Sequence, residues 1–138
     1  MEELYIGLMS GTSVDSVDSV LVNLANQRVQ ILAKISTNIP KDLKIQTLNA
    51  TSSDNLSNQT IESLDNQFGI LFAKSVSNLL DINSISKSNI KAIGSHGQTI
   101  KHCPYPPHPY SLQVGSPEKI VELPGIRIVA DFRSADIE

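Results

Sequence analysis

A turn-forming glycine flanked by small hydroxyl side chains follows the first apolar run of this sequence. The run covers residues 4–8, and Gly11, Thr12 and Ser13 come soon after it. Backbone N–H groups in a tight turn can form a concave anion-binding nest, and two hydroxyls beside it add donors. This arrangement suits the phosphates of a nucleotide. The same residue types also favour an ordinary hairpin turn, so the local pattern alone leaves both interpretations open.

Two carboxylates three residues apart complete the segment. Asp15 and Asp18 offer the hard oxygen ligands that Mg²⁺ prefers beside phosphate. The segment is not a Walker phosphate loop, which reads GxxxxGKS or GxxxxGKT, because the next lysine is Lys34. Any phosphate would therefore be held by backbone amides and hydroxyls rather than by a loop lysine.

Composition excludes several classes of protein. The chain has 138 residues, enough for one domain with a real core. Fourteen acidic residues against 11 basic ones argue against a nucleic-acid partner. No apolar run is long enough to cross a bilayer, Glu2 and Glu3 are unlike the basic start of a signal peptide, and the single Cys103 cannot form an internal disulfide. A cytoplasmic protein with no membrane partner is the expectation.

Hydrophobic alternation in the first forty residues predicts three consecutive strands. They cover residues 5–9, 17–24 and 29–36 with short links, the second link being 25–28, which predicts an antiparallel meander. Pro40 suits the first turn of a short helix whose apolar side would hold Leu43, Ile45 and Leu48. A long amphipathic helix is predicted over residues 56–80 from apolar residues at steps of three and four. These residues are Leu56, Ile61, Leu64, Phe68, Leu71, Phe72, Val76 and Leu79.

The second half of the sequence alternates strands with polar clusters. A short buried strand at 90–93 would deliver residues 94–99 as a loop at its carboxyl end, where open α/β sheets bind ligands. Four prolines predict an extended loop over 101–110, followed by a strand at 111–114 and a short helix from Ser116. A last strand at 126–130 leads into Asp131 and Arg133. Three strand ends therefore carry polar clusters.

Taken together, these elements predict an α/β fold. A three-stranded antiparallel meander followed by alternating helices and strands in a mixed sheet resembles one lobe of the ribonuclease H-like, actin/hexokinase-type superfamily. Three motifs make the resemblance closer: LMSGTSVD at 8–15, IGSHGQT at 93–99 and VADFR at 129–133. In this order they resemble the signatures of the bacterial anhydro-N-acetylmuramic acid kinases, and the resemblance covers essentially the whole chain.

That resemblance implies a bacterial enzyme of peptidoglycan recycling and amino-sugar metabolism. It would use ATP and Mg²⁺ to phosphorylate the 6-oxygen of 1,6-anhydro-N-acetylmuramic acid while water opens the anhydro ring, giving N-acetylmuramic acid 6-phosphate. Asp15 and Asp18 would hold Mg²⁺, and His96, Gln98 and Arg133 would face the amino sugar, with Arg133 on its lactyl carboxylate. A homodimer is implied for the full-length family member. The nucleotide-phosphate segment would comprise Gly11, Thr12, Ser13, Val14, Asp15, Ser16, Val17 and Asp18.

Two departures from the family pattern affect these expectations. Ser16 stands where the family usually has glycine, so the backbone there must tolerate a Cβ. Family members are also about twice this length or more, as a two-lobed enzyme requires. Residues 1–138 are thus expected to form an N-terminal lobe. The glycine-rich continuation, the general-base aspartate and the second lobe would lie beyond the chain end, and the chain alone is predicted to be inactive. The alternative is a non-catalytic sugar- or nucleotide-binding module or an inactive fragment.

Overall fold

The structure, a computed structural model, describes residues 2–11, 13–53, 55–103, 110–115 and 127–130. In 101–103, 110–113 and 127–130 only the backbone is described. The strands and helices in chain order are β1 (Leu4–Ser10), β2 (Ser16–Asn23), β3 (Gln30–Asn38), α1 (Lys41–Ser52), α2 (Asn58–Ile82), β4 (Ile90–Cys103), β5 (Tyr110–Val114) and β6 (Arg127–Ala130). Short 3-10 turns at Ala25–Gln27 and Lys87–Asn89 complete the described elements.

The first three strands form the predicted antiparallel meander. β1 pairs with β2 from Leu4 opposite Asn23 to Ser10 opposite Val17, and β2 pairs with β3 along its whole length. Along β1 and β2, buried residues alternate with more exposed ones, the period-2 pattern of strands with one face in a core. The link at 25–28 is confirmed as the second turn, with positive φ at Asn26 and Gln27.

β4 joins the meander by parallel pairing with β1. Its early residues also pair in parallel with β6, from Ala92 opposite Arg127 to Ser95 opposite Ala130, and its later residues pair antiparallel with β5. The six strands make one mixed sheet, in the order β3-β2-β1-β4-β5 with β6 on β4. The predicted α/β class with a mixed sheet is therefore confirmed.

α2 covers one face of this sheet. It begins after Ser57, whose hydroxyl accepts a hydrogen bond from the Thr60 amide at 3.1 Å, a typical N-cap. Six of the eight predicted stripe residues are buried, namely Leu64, Phe68, Leu71, Phe72, Val76 and Leu79. Leu56, which precedes the helix, and Ile61 are partly buried against the same core. They pack in one core with the inward-facing Ile6, Leu8, Val17, Leu21 and Ile93 of the strands. No helix in the described part of the chain is long and apolar enough to span a membrane.

α1 buries a different side from the predicted one. Leu43, Thr47 and Ala50 are buried, whereas Ile45 is 48% exposed and Leu48 is 39% exposed. Leu43, Thr47 and Ala50 follow one another at steps of four and three and so lie on one helical face, whereas Ile45 lies on the opposite face. The Thr47 hydroxyl donates to the Leu43 carbonyl at 2.7 Å, so a polar residue is accommodated in the buried side.

β4 is much longer than predicted. The strand does not end at residue 93 but continues through Cys103, so the expected ligand loop at 94–99 and the first three residues of the expected loop at 101–110 are part of the sheet. Residues 104–109 lie outside the described residues. A bulge interrupts its pairing with β1 near His96 and Gly97, where Gly97 adopts φ 70°. The expected strands at 111–114 and 126–130 are confirmed as β5 and β6. The expected helix from Ser116 lies outside the described residues.

Gly115, at the end of β5, occupies a position that only glycine fits. Its φ is +125°, and an added Cβ would lie 2.3 Å from Cε2 of Phe72. Its amide also donates to Asp65 Oδ1 of α2 at 2.8 Å, so the residue cannot easily move away. This contact fixes the end of β5 against α2.

Gly115→Ala should therefore destabilise the protein by roughly 2 to 4 kcal/mol, through backbone strain and overpacking against Phe72. Urea unfolding of both proteins measures the difference. Gly7→Ala is the matched control, because a Cβ at Gly7 meets no atom within 4 Å, and its effect should stay within roughly 1 kcal/mol. Equal effects of the two alanines would contradict the packing assigned to Gly115.

Candidate functional site

The first motif forms the turn between β1 and β2, as predicted. The Val14 amide donates to the Gly11 carbonyl at 3.2 Å and closes the turn, and the flanking Gly11 and Ser13 are exposed. Thr12 lies outside the described residues. The turn stands at the carboxyl end of β1, the edge of the sheet where ligands of open α/β proteins bind.

Val14 holds this turn in an uncommon conformation. Its φ is 56°, a left-handed backbone that β-branched residues rarely adopt, and its side chain is fully buried. Such a conformation costs about 1 to 3 kcal/mol and persists only where the surrounding structure imposes it. The buried side chain thus anchors the turn in the core while its neighbours Ser13 and Asp15 remain at the surface.

Ser16 and Val17 belong to the strand that follows. Ser16 has no positive φ, so the residue that replaces the usual glycine of the family pattern fits an ordinary strand backbone. Val17 is fully buried, and its side chain packs in the core rather than at the surface of the turn. These two residues support the turn by fixing the start of β2.

Asp15 is tied to helix α1. Lys44 Nζ lies 2.5 Å from Asp15 Oδ1, and the Asp15 carbonyl accepts a hydrogen bond from the Ile39 amide at 3.0 Å. The hydrogen bond from Lys44 and then its positive charge lower the pKa of Asp15. Slight desolvation opposes them, and a hydrogen bond from the Ser13 hydroxyl lowers the pKa least. The carboxylate is ionised at neutral pH and is already oriented by a cation.

Asp18 has different partners. Its Oδ1 accepts from the Ser36 hydroxyl at 2.6 Å, and its Oδ2 lies 3.9 Å from Lys34 Nζ on β3. Asp15 and Asp18 are therefore held by separate elements, α1 and β3. Within the described ranges no group of three or more His, Cys, Asp or Glu side chains is placed to hold a metal. Mg²⁺ takes one or two carboxylates and completes its shell with phosphate oxygens and water, so either carboxylate alone has the chemistry to contribute a ligand.

Gln98 of β4 connects the second motif to the turn. It is fully buried, and its Oε1 accepts a short hydrogen bond from the Ser10 hydroxyl. Its Nε2 donates to the Gly11 carbonyl at 3.1 Å and to the Thr99 carbonyl at 3.2 Å. Every polar atom of this side chain is thus used within the protein, and two of its partners are the last residue of β1 and the first residue of the turn.

His96 lies on the same edge of the sheet as the turn. The register pairs Leu8 with Ser95 and Ser10 with Gln98, so the bulge that carries His96 stands beside the last residues of β1. His96 is exposed, whereas Ser95 and Gln98 on either side of it are buried. The pairing therefore places His96, which is expected to face the sugar, at the same edge of the sheet as the turn. Arg133 and Asp131 lie outside the described residues, and their place in the site stays a prediction.

Two contributors were not identified from the sequence. Lys44 lies in α1, 29 residues from its partner Asp15, and no local pattern distinguishes it from a solvated surface lysine. Ser10 belongs to the first motif, but nothing in the motif shows that its hydroxyl would bond a glutamine 88 residues away. Both depend on long-range packing.

Comparison with known proteins settles the family. The model of the anhydro-N-acetylmuramic acid kinase family matches residues 3–138. The chain belongs to this family. The family is part of the actin/hexokinase-like superfamily, and the α/β lobe described above agrees with that placement.

Individual relatives cover nearly all of the chain. The chain is 43% identical over 136 residues to the anhydro-N-acetylmuramic acid kinase of Sulfurovum sp. (strain NBC37-1), an alignment with 99% of this chain and 38% of that protein. It is 42% identical over 135 residues to the enzyme of the same name from Shewanella pealeana, covering 96% of the chain and 36% of the relative. A third relative, from Shewanella sp. (strain ANA-3), is 44% identical over 135 residues, with the same coverage. The chain thus spans less than two fifths of the length of the curated relatives it matches.

Lys44→Met should raise the pKa of Asp15 towards its ordinary value, because the hydrogen bond and the positive charge that lower it are removed. A folded-state pKa below the unfolded one stabilises the protein above the unfolded value, and this contribution disappears as the pH falls through the folded value. In the native protein the ion pair between Lys44 and Asp15 should therefore be lost only in strongly acidic solution. A titration of the Asp15 carboxyl carbon by NMR measures the shift. Lys34→Met, next to Asp18 instead, should leave the pKa of Asp15 unchanged.

Gln98→Leu should cost about 1 to 3 kcal/mol, because the Ser10 hydroxyl and the Gly11 carbonyl lose a buried partner. Hydrogen exchange at the Val14 amide should accelerate, since that amide bonds to the same Gly11 carbonyl. Gln67→Leu is the control, because Gln67 bonds only Gln46 and Ser63 near the surface of the helices. Equal exchange at Val14 in both variants would show that Gln98 does not brace the turn.

Proposed function

We propose that this chain forms the phosphate-binding wall, and part of the sugar-binding wall, of an ATP-dependent kinase. The enzyme would transfer phosphate to the 6-oxygen of 1,6-anhydro-N-acetylmuramic acid while water opens the anhydro ring, giving N-acetylmuramic acid 6-phosphate for peptidoglycan recycling. The observation that carries the proposal is the exposed Gly11 turn, braced by Gln98 from the second motif, in a chain that matches the family over residues 3–138.

The phosphates of ATP would lie over the turn between β1 and β2. Gly11 and Ser13 are exposed there, and their backbone N–H groups with the hydroxyls of Thr12 and Ser13 are the donors proposed to hold phosphate. Val14 and Gln98 fix the turn from below. Holding Gly11 and its neighbours in place in this way reduces the ordering cost of binding.

Asp15 and Asp18 are proposed to hold Mg²⁺, directly or through water. When bound, the ion would offset the negative charge that accumulates on the transferring phosphate. Lys44, 2.5 Å from Asp15, lowers the pKa of that carboxyl and orients it. It also adds positive charge beside the turn, which favours a polyanionic nucleotide.

The sugar would face the neighbouring strand end. His96 is exposed beside the turn and is proposed to contact the sugar, and Arg133 is proposed to bind the lactyl carboxylate through a fork of hydrogen bonds. Gln98 belongs to the same proposed set. Its buried hydrogen bonds to Ser10 and Gly11 support a positioning role, in which it couples the sugar side of the site to the phosphate side.

The general base and the adenine-binding lobe are proposed to lie in the part of the relatives that this chain does not align with. Positioning contributes most of the catalysis of phosphoryl transfer, so one wall without the general base and the adenine-binding lobe should not turn over. The cytoplasmic location and the homodimer stay predictions. A non-catalytic sugar- or nucleotide-binding module is the competing proposal, and an activity test separates the two.

The test is a chimera in which this chain replaces the matched segment of the Sulfurovum relative. Incubated with ATP, Mg²⁺ and the anhydro sugar, the folded chimera should release sugar phosphate, measured by mass spectrometry. The isolated chain should show none under the same conditions. Arg133→Ala in the chimera should raise KM for the sugar more than KM for ATP, whereas Glu62→Ala, on the outer surface of α2, should change neither.

A cooperative thermal melt establishes that the chimera is folded. A folded chimera that binds the sugar or ATP but yields no sugar phosphate would favour the non-catalytic binding module. Turnover by the isolated chain, with contaminating host enzyme excluded, would contradict the division of the site between two parts.

A further inference from the structure

Lys44 brings a positive charge to the rim of the Gly11 turn from outside the first motif. Its Nζ lies 2.5 Å from Oδ1 of Asp15, and Asp15 directly follows Val14, whose amide closes the turn. The motif itself offers no lysine, since the first lysine of the chain is Lys34. A lysine ammonium beside the turn must therefore come from another element, and α1 supplies it.

The start of α1 is fixed against the turn. The Ile39 amide donates to the Asp15 carbonyl at 3.0 Å, and the Ile39 side chain is buried. Lys44 lies one helical turn further on, where its amide donates to the Pro40 carbonyl at 2.9 Å and the neighbouring Leu43 is buried in the core. The helix thus holds the backbone of Lys44 in place, while the side chain itself is 38% exposed.

Lys34 is less well placed for the same purpose. It lies opposite Val20 in the pairing of β2 with β3, so its backbone is about 20 Å along the strand from the turn, at about 3.3 Å for each residue. Its Nζ is 3.9 Å from Asp18 Oδ2, a longer separation than the one between Lys44 and Asp15. Of these two lysines, Lys44 is the one that the fold places at the proposed phosphate site.

The ion pair of Lys44 with Asp15 is easily exchanged for another partner. The Asp15 side chain is 63% exposed, and an exposed ion pair contributes little to stability. A phosphate chain over the turn carries more negative charge than one carboxylate. If Asp15 takes part in binding Mg²⁺ as proposed, its carboxylate also has less charge left to attract the ammonium. The flexible four-carbon stem of lysine lets the head group move while the helix stays still.

We propose that Lys44 binds the phosphate chain of ATP directly, exchanging Asp15 for a phosphate oxygen when the nucleotide binds. This inference rests on the proposed function, which places the phosphates over the turn. It adds a contact to the general attraction of a nearby positive charge, because the ammonium would donate hydrogen bonds to phosphate oxygens. Asp15 holds the ammonium at the rim of the turn beforehand, which lowers the ordering cost of binding.

The test is the binding of ATP with Mg²⁺ to the folded chimera, measured by calorimetry without sugar. Lys44→Met should weaken the affinity for ATP at least about tenfold, because a charge-assisted hydrogen bond is lost. Lys44→Arg keeps the charge and the donors and should recover most of the affinity. An equal loss in both variants would indicate that the aliphatic stem acts by packing, and would overturn the proposal.

Lys91→Met is the matched control. Lys91 forms a similar exposed ion pair, with its Nζ 3.2 Å from Glu3 Oε1, and the pair lies at the opposite end of β1 from the turn. This variant removes the same charge at a distance that salt screens, so its affinity for ATP should stay within about twofold of the parent. A loss as large as that of Lys44→Met would show that only net charge matters and would contradict the contact.

The salt dependence separates a contact from a long-range field. Electrostatic screening acts over about 10 Å at about 0.1 M salt and over about 3 Å at about 1 M, so a charge that acts from a distance loses its effect in concentrated salt. For a direct contact, the ratio of Kd between Lys44→Met and the parent should stay at least about fivefold at about 1 M salt. A ratio close to one would leave only the field and would overturn the proposal.

Failure of this inference and failure of the proposed function give different results. An active chimera whose Lys44→Met variant binds ATP as tightly as the parent would overturn the inference and leave the proposed function standing. A chimera that loses affinity on Lys44→Met but yields no sugar phosphate would refute the kinase and leave the contact standing. A folded chimera that binds no ATP would overturn both. Thermal melts of all variants check folding, and they should shift little because the pair is exposed.

Discussion

The parallel pairing of β1 with β4 is the constraint on which the rest of the structure depends. It brings together two motifs that are almost ninety residues apart. The Gln98 amide adds side-chain hydrogen bonds across the pairing, to the Ser10 hydroxyl and the Gly11 carbonyl. α2 lies over one face of the sheet that this pairing joins. Because a buried amide must satisfy all its polar atoms, Gln98 also specifies the register of the pairing.

The turn at Gly11 shows how a small surface loop can be made rigid without a loop lysine. Val14 anchors it from the core in a left-handed backbone, Gln98 holds its first carbonyl, and Lys44 holds the carboxylate that follows it. The three anchors come from the core, from β4 and from α1. Strain of this kind is characteristic of sites where the backbone is arranged for a ligand rather than for its own stability.

The two faces of the sheet have different chemistry. One face is sealed by α2 with a closely packed core that includes Phe68 and Phe72. On the other face Gly7 pairs with Gly94, and half-buried apolar side chains such as Tyr5 and Val20 lie beside them. The chain spans less than two fifths of its curated relatives.

Much of the fold follows from local pattern. The alternation in β1 to β3, the glycine turn and the apolar stripe of α2 each express a period that a short segment carries by itself, so these elements were predicted correctly. The three motifs likewise identified the family, because they are local and occur in a fixed order. Ser16 in place of glycine proved compatible with a strand, which the motif alone could not tell.

Other features were decided only by tertiary structure. Residues 94–99 are polar and rich in glycine and resemble a loop, yet they extend β4. β1 supplies hydrogen-bond partners on one side, and β6 and then β5 supply them on the other. In α1, Ile45 and Leu48 are exposed and Thr47 is buried. The side of the helix that is buried is set by its contacts with β4 and α2, and not by the hydrophobicity of its residues alone. The bonds of Gln98 to Ser10 and of Lys44 to Asp15 join distant segments. A sequence records which groups can bond, but only the packed chain brings a particular donor to a particular acceptor.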